Sequence, residues 1–276
     1  MKSILSRNIF LRVIFLPLLK LFNRDIEINH PWTQDVFKLA LFEHRGYWFH
    51  SKNREKEEMI AFKNLIKNKS ILLEVGGHIG FTSLYFAKLI GKDGKLYVFE
   101  PGTNNLPYLK KNISNHSNIF LEEYACSNKN GNEKFYQDNL TGQNNSLIPN
   151  FAGLDFNKKN APGIKVQKKI TNVKTIRISD FCKKNSINPD FIKIDVEGHE
   201  YGVLLGAEEI LKSSNPPKLM IEVQQDFDLI ENFLKTYNFQ MYSPKGKKIS
   251  TIKECTNVFA LHKNSNNIKT FIDLYS

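Results

Sequence analysis

Residues 71–90, ILLEVGGHIGFTSLYFAKLI, join a short apolar run, a glycine-rich turn and a segment with helical spacing. The apolar run at 71–75 consists mainly of Ile, Leu and Val and stops at glycines, which predicts a buried strand. The apolar side chains over 81–90 recur at the spacing of a helix. A strand that feeds a helix through a glycine turn is typical of proteins that alternate strands and helices.

The same alternation continues along most of the chain. Further strands are predicted at 95–100, 118–124, 171–178, 191–196 and 219–223, and helices at 104–113, 180–184, 201–211 and 226–237. Two last strands, 239–242 and 257–262, are predicted to pair with each other. The sequence therefore predicts an α/β fold: a doubly wound, mostly parallel sheet with an antiparallel C-terminal edge strand. Ligands of such sheets bind at the carboxyl ends of the strands.

Length and composition exclude several classes of protein. The chain has 276 residues, 41% of them hydrophobic and 24% charged, which excludes a disordered chain, a fibre and a protein with many membrane spans. Its three cysteines are far apart, which argues against disulfides or zinc and favours a reducing compartment. The net charge of +11 comes from scattered lysines, so a solvated surface is favoured over a nucleic-acid partner.

The N-terminal segment 1–24 is apolar and basic. Its longest uncharged run, 13–19, is too short to span a bilayer. Arg12 interrupts the apolar region and no small-residue cleavage site follows, which argues against a signal peptide. The pattern predicts a basic amphipathic helix that lies on an anionic membrane or packs on the protein or a partner. We expect a cytoplasmic protein, with peripheral contact at the inner face of the membrane as the alternative location.

These patterns divide the chain into two parts. Residues 1–50 are predicted to be a helical extension, and 51–276 to be the main domain. Within this domain, residues 127–170 are rich in Asn, Gly and Lys and hold no long helix. We interpret them as an inserted hairpin and loop region that shapes a substrate site.

The glycine turn differs from a dinucleotide-binding loop. Its glycines stand at 76, 77 and 80, which does not fit the GxGxxG spacing, and Glu74 precedes them. A carboxylate would repel a pyrophosphate but suits an ammonium group, such as that of S-adenosylmethionine. Glu100 closes the next strand, 20 residues after Gly80, at the place where an acidic side chain binds ribose hydroxyls. The alternative interpretation is that both are ordinary carboxylates at strand ends.

A second cluster of ionisable residues follows a later strand, at 192–200 (IKIDVEGHE). Strand alternation puts Lys193, Asp195 and Glu197 on one face. His199 can accept a proton from a hydroxyl at neutral pH. Glu222 closes the next strand and is expected to face the same cleft. A metal site built from Asp195, Glu197, His199 and Glu200 is an alternative, as is local packing of His199, and we predict no required metal.

These blocks resemble the FkbM family of S-adenosylmethionine-dependent methyltransferases. The matching blocks, in family order over roughly residues 70–225, are EVGGHIGFTSLYFAK, VFEP, LKKNI, Ala125-Cys126-Ser127, FIKIDVEGHE, LLGAEEIL and LMIEV. The resemblance implies a class I methyltransferase fold, which is Rossmann-like, and methyl transfer, usually to a hydroxyl oxygen. It also implies that the acceptor is a sugar, a glycolipid or a natural product.

The resemblance also assigns roles to residues. It implies that Asp195 lies near the sulfonium and that His78, which stands where the family usually has Asn, touches the cofactor's carboxylate. The residues that it places around the cofactor are Glu74, Gly76, Gly77, His78, Gly80, Glu100, Pro101, Ala125, Cys126, Ser127 and Asp195.

The sequence thus predicts an O-methyltransferase with His199, Asp195, Lys193 and Glu197 as its catalytic residues. Residues 144–146 are further candidates for holding acceptor hydroxyls. The expected partner is a small-molecule or glycan acceptor, and no nucleic acid is expected. Two alternatives remain: a nicotinamide-dependent sugar oxidoreductase and a non-catalytic, membrane-associated scaffold.

Overall fold

The computed structural model of the chain describes residues 9–149, 151, 164, 167–265 and 271. Its strands are β1 (Asp25–Asn29), β2 (Val36–Ala40), β3 (Ile71–Val75), β4 (Lys95–Phe99), β5 (Ile119–Glu122), β6 (Ala125–Cys126), β7 (Gly131–Asp138), β8 (Lys168–Ile176), β9 (Phe191–Ile194), β10 (Lys218–Glu222), β11 (Phe239–Tyr242) and β12 (Asn257–His262). Its α-helices are α1 (Ile9–Leu21), α2 (Arg45–His50), α3 (Lys56–Leu65), α4 (Phe81–Ile90), α5 (Leu106–Ile113), α6 (Ile178–Asn185), α7 (Glu200–Gly206), α8 (Glu208–Leu211) and α9 (Phe227–Thr236).

Seven strands form the central sheet, in the order β11-β12-β10-β9-β3-β4-β5. The pairs β5–β4, β4–β3, β3–β9 and β9–β10 are parallel, so the predicted α/β fold with a mostly parallel sheet is confirmed. The C-terminal strand β12 is antiparallel, as expected, but it lies between β10 and β11. The edge strand is β11. The four central residues of β12 are buried, which suits an inner position in the sheet.

Strand order reverses beside β3. The chain runs from β3 outward through β4 and β5, and then returns to form β9 on the other side of β3. Chain segments that leave β3 and β9 at their carboxyl ends therefore diverge and leave a crevice between them. Both predicted clusters of ionisable residues follow these two strands.

The extension predicted to be helical contains a β-hairpin, which corrects that prediction. Helix α1 is followed by β1 and β2, which pair in antiparallel register from Asp25↔Ala40 to Asn29↔Val36. The alternation of apolar and polar residues in DIEIN and VFKLA accounts for both strands. Phe37 and Leu39 of β2 are fully buried in the same hydrophobic cluster as the central sheet. Part of the N-terminal region therefore belongs to the main core.

The insertion adds a small sheet of three strands, in the order β6-β8-β7. Strands β7 and β8 are antiparallel over eight residue pairs, from Gly131↔Thr175 to Asp138↔Lys168. The remainder of this predicted hairpin and loop region at 150, 152–163 and 165–166 lies outside the described residues, as do residues 1–8 of the predicted N-terminal helix. In the described part of the chain, no helix is both long and apolar enough to cross a membrane.

Replacement of Phe37 by Ala should lower the free energy of unfolding by about 3–5 kcal/mol, the usual cost of truncating a buried phenylalanine. The Phe37 ring contacts those of His30, Tyr47 and Phe81, so the loss should appear in the global transition. Denaturant unfolding followed by circular dichroism measures it. Val36→Ala is the matched control, because the Val36 side chain is exposed on the same strand. An equally small effect of both substitutions would show that the hairpin does not stabilise the core.

Candidate functional site

A cavity of about 260 Å³ lies at the carboxyl ends of β3, β4, β9 and β10. Its volume is close to the lower end of ligand pockets, which span about 300–1,000 Å³. Most of the predicted site residues line it: Glu74, Gly76, Gly77, His78, Glu100, Pro101, Ala125, Cys126, Lys193, Asp195, Glu197, His199 and Glu222. Gly80 and Ser127 are not among its lining residues. The glycine turn and the ionisable cluster at 192–200, which are far apart in the sequence, therefore meet at one cavity.

The glycine turn packs against the second cluster. Gly76 has a φ of +90°, and a Cβ atom there would lie 1.8 Å from the carbonyl oxygen of Asp195. A Cβ atom at Gly77 would lie 2.2 Å from Cγ1 of Val98. These glycines are therefore required by close contact with the protein's own chain. Asp195 also donates its backbone N–H to the carbonyl of Val75 at 3.0 Å, which ties the turn after β9 to the end of β3.

Glu100 is buried at the end of β4 and accepts hydrogen bonds on both carboxylate oxygens. Its Oε2 accepts from the backbone N–H of His78 at 2.7 Å. Its Oε1 accepts from the backbone N–H of Gly102 at 2.8 Å and from Nδ2 of Asn105 at 3.2 Å. Burial nevertheless raises the pKa of Glu100 to about 7. This carboxylate holds the glycine turn against the loop after β4.

His78 connects three distant parts of the chain. Its Nδ1 lies 2.8 Å from the hydroxyl of Tyr47, and its Nε2 lies 3.1 Å from the carbonyl oxygen of Thr141. Because a carbonyl can only accept, the imidazole proton is assigned to Nε2, and Tyr47 donates to Nδ1. Burial lowers the pKa of His78 to about 3, so the ring is neutral. His78 thus fixes the N-terminal region and the insertion to the edge of the cavity.

Lys193 forms a buried ion pair with Asp195, as Nζ lies 2.9 Å from Oδ2. Lys193 is also the register partner of Glu74 on the adjacent strand. Burial alone would lower the pKa of Lys193, but Asp195 and Glu74 outweigh this effect and raise it overall. Burial raises the pKa of Glu74 to about 7, and Ser83 donates its hydroxyl to Glu74 Oε2 at 2.5 Å. The Asp195 side chain is therefore fixed in position by its ion pair with Lys193.

Two further carboxyl groups line the cavity beside Asp195. The charge of Asp195, together with burial, raises the pKa of Glu222 to about 8. Burial, followed by the charges of Asp195 and Glu222, raises the pKa of Glu197 well above its ordinary value. Among the described residues, no three His, Cys, Asp or Glu side chains are grouped so that they could hold a metal ion. This wall of the cavity favours a cation or a donor of hydrogen bonds.

His199 lies at the start of α7 and lines the same cavity. Its Nε2 is 3.0 Å from the hydroxyl of Ser127, a predicted cofactor residue that is not among those lining the cavity. Gly202 leaves room for the ring, since a Cβ atom there would lie 2.4 Å from Nε2 of His199. Burial lowers the pKa of His199, so the imidazole is neutral near pH 7 and can accept a proton.

The predicted acceptor residues at 144–146 are mostly bonded within the protein. Asn145 lines the cavity, but its Nδ2 donates to Oδ1 of Asn104 at 2.8 Å. Ser146 donates its hydroxyl to the carbonyl of Glu197 at 2.7 Å. The first bond ties the insertion to the loop after β4, and the second ties it to the turn after β9. Asn144 is not among the lining residues.

Three residues that line the cavity precede the first strand of the central sheet, and their role in the lining was not predicted from the sequence. Tyr47, Arg54 and Glu55 cover the cavity from the N-terminal region. The Arg54 guanidinium lies 4.3 Å from the centroid of the Tyr47 ring and pairs with Glu55 at 3.0 Å. Its Nε atom is buried and has no hydrogen-bond partner. The aromatic run at 47–49 was the one local signal, because residues so far from the glycine turn share no motif with it.

Known proteins give one family match and several structural neighbours. The FkbM methyltransferase domain matches residues 74–241, whereas no curated protein matches the chain. The chain is similar to the FkbM methyltransferase from Methylobacillus flagellatus, with 17% identity over 71% of this chain, 44% of that chain and a TM-score of 0.44. It thus spans less than half of that protein.

Two further solved structures are similar to the chain. Fibrillarin from Aeropyrum pernix, solved with natively bound S-adenosyl-L-methionine, is 13% identical over 75% of this chain and 74% of its own, with a TM-score of 0.40. A methyltransferase from Streptococcus mutans, solved with SAH, is 12% identical over 75% of this chain and 97% of its own, with a TM-score of 0.39. Since the domain match covers more than half of the chain, the protein belongs to the FkbM family of S-adenosylmethionine-dependent methyltransferases, as its sequence predicted.

Proposed function

We propose that the protein transfers a methyl group to a hydroxyl oxygen of an uncharged, polyhydroxylated acceptor, such as a sugar, a glycolipid or a natural product. The supporting observation is the wall formed by Asp195, Glu197 and Glu222. Carboxyl oxygens accept hydrogen bonds from hydroxyl groups, and an anionic acceptor would add to the carboxyl–carboxyl repulsion that already raises the pKa values of Glu197 and Glu222. Membership in a methyltransferase family does not support the nicotinamide-dependent oxidoreductase considered from the sequence.

The residues around the cavity fit S-adenosylmethionine. Its ammonium and sulfonium groups are cations, and Glu74 and Asp195 are acidic side chains at the ends of adjacent strands. Its carboxylate requires a donor, and the buried Nε–H of Arg54 has no partner in the protein. Glu100 is the candidate for the ribose hydroxyls, because it closes the next strand. When bound, this cofactor supplies a methyl group on a good leaving group.

The protein's own residues then have to orient the acceptor and take up its proton. Lys193 fixes Asp195, so that this carboxylate keeps one position beside the reacting groups. Neutral His199 is the first candidate for the base, and Ser127 holds its ring. Glu222 is the second candidate, because a carboxyl group with a pKa of about 8 is close to the value that suits general base catalysis near neutral pH.

Arg54→Gln should weaken binding of S-adenosylhomocysteine by about 10- to 100-fold, the loss expected for a hydrogen bond to a charged group. Binding of 5′-methylthioadenosine, which lacks the amino acid portion, should be unchanged. Calorimetry on both ligands makes this comparison. Arg177→Gln is the matched control, since Arg177 pairs with Asp180 and Glu209 and does not line the cavity. Equal weakening of both ligands by Arg54→Gln would assign Arg54 a structural role only.

Affinity for S-adenosylmethionine should rise with pH between about 6 and 8. Glu74 and Glu100 have pKa values of about 7, so each is partly protonated in the free protein near neutral pH. A bound cation favours ionised Glu74, and hydroxyl donors of the ribose favour ionised Glu100, so binding releases protons. Each carboxyl group that must ionise contributes about tenfold over this range. Calorimetry in phosphate and in Tris counts the released protons. Constant affinity without proton release would contradict the assignment of these two residues.

His199→Gln should lower turnover by about 10²–10⁴-fold while cofactor affinity stays unchanged, because a general base contributes to the chemical step. Release of S-adenosylhomocysteine from a panel of methyl glycosides of neutral hexoses and deoxyhexoses measures turnover. Mass spectrometry of the product should show the methyl group on oxygen.

Ser127→Ala is the control for that experiment, because it removes the partner of His199 and keeps the base. It should cause a smaller loss than His199→Gln. Full turnover by His199→Gln would transfer the role of base to Glu222, which Glu222→Gln then tests. Methylation of amino sugars only, on nitrogen, would overturn the proposed hydroxyl acceptor.

A further inference from the structure

Helix α1 presents an apolar face to solvent. Phe15, Leu18 and Phe22 recur at helical spacing on this face, with Leu21 beside them. The side chains of Leu21 and Phe22 are 76% and 67% exposed. Among the described residues, five of the nine exposed large apolar side chains lie in or directly after α1: Val13, Phe15, Leu18, Leu21 and Phe22. A concentration of this kind marks an interaction surface.

The opposite face of α1 is packed on the protein. Leu16 is buried in a small cluster with Phe42 and Leu140, and Leu19 packs against the same cluster. Lys20 extends over the Phe42 ring, with Nζ 5.9 Å from the centroid. Leu16 and Leu19 therefore hold the helix on the protein, so that its apolar outer face keeps one orientation toward solvent.

Positive charge accompanies the apolar face. Lys20 and Arg24 are exposed at the end of α1. The helix has 13 residues, and Pro17 lies inside it. The described stretch of this helix rises about 20 Å, which is less than the roughly 30 Å thickness of the hydrocarbon core of a bilayer. Short helices with large apolar side chains and flanking cations lie in the plane of a membrane interface.

We propose that α1 and Phe22 dock the protein on an anionic lipid bilayer. Phe15, Leu18, Leu21 and Phe22 insert at the boundary between headgroups and acyl chains, and the cations at the end of the helix contact lipid phosphates. Charge complementarity favours this occupant over a second copy of the chain, because a second copy would bring the same positive charges to the contact.

Helix α1 also contacts the segment at 140–141, which lies beside the cavity. Leu140 packs in the cluster with Leu16, and the next residue, Thr141, accepts a hydrogen bond from His78. His78 lines the cavity. The docking surface and the cofactor site are therefore joined by one continuous set of contacts.

Sedimentation of the full chain with lipid vesicles tests the proposal, and it requires no knowledge of the methyl acceptor. The protein should bind vesicles of about 70% phosphatidylcholine and 30% phosphatidylglycerol, and bind pure phosphatidylcholine much more weakly. The double variant Leu18→Ser/Leu21→Ser should lose at least about tenfold in partitioning to anionic vesicles. Leu229→Ser is the matched control, since Leu18 and Leu229 are each 49% exposed.

Charge variants and a fluorescent variant supply separate measurements. Lys20→Gln and Arg24→Gln should each weaken binding by about fivefold, while Lys92→Gln, at an exposed site elsewhere, should have no effect. The emission of Leu21→Trp should shift to the blue on binding and be quenched by brominated lipids. Melting curves of all variants should match that of the original chain, because the substituted side chains are exposed.

Three results would overturn the proposal. The first is the absence of binding to anionic vesicles, and the second is an equal loss in the Leu229→Ser control. The third is self-association in sedimentation equilibrium that Leu18→Ser/Leu21→Ser abolishes while vesicle binding is absent, which would make the face a contact between copies of the chain. Equal binding to neutral and anionic vesicles would overturn the role of charge.

Discussion

The contact between Gly76 and the backbone of Asp195 is the constraint on which the site depends. The absence of a side chain at Gly76 lets the turn after β3 touch the turn after β9. Strand order reverses between the adjacent strands β3 and β9, so the chain segments that follow these strands would otherwise diverge. The contact brings Glu74 and Asp195 to one cavity. A substitution at Gly76 would therefore disturb the cavity through the protein's own backbone, whatever ligand it holds.

The same closeness creates an electrostatic problem. Carboxyl groups at the ends of β3, β4, β9 and β10 share one small cavity, and Lys193 and Arg54 are the cations that line it. Removal of one partner from a buried ion pair such as Lys193–Asp195 generally costs about 3–5 kcal/mol. Burial raises the pKa values of Glu74 and Glu100, and the charge of Asp195, together with burial, raises the pKa of Glu222. A cationic ligand would favour the ionised form of these carboxyl groups, so the free protein is poised to bind one.

Local patterns in the sequence were sufficient to predict much of the fold. Strand β3 and helix α4 begin and end where apolar periodicity predicts, because that periodicity reports directly on burial. The inner position of β12 could not be predicted, since strand order depends on contacts between distant segments. The hairpin of β1 and β2 was missed although its alternation is visible in the sequence. The positions of Glu74, Glu100 and Asp195 beside one cavity could be predicted, because carboxyl ends of parallel strands meet at one edge.

No local rule of this kind predicts the part of the cavity wall that the N-terminal region and the insertion form, and His78 shows why. It stands beside Gly77, where no Cβ atom fits against Val98, and it adopts a left-handed φ of 48°. Its ring stacks on Tyr47 and accepts the hydroxyl proton of that residue in a hydrogen bond, while its other nitrogen donates to Thr141. A charged imidazole would donate from both nitrogens and reverse the bond to Tyr47, so burial in the neutral form preserves the arrangement. One ring thus couples the N-terminal region to the insertion, and both regions form part of the wall of the site.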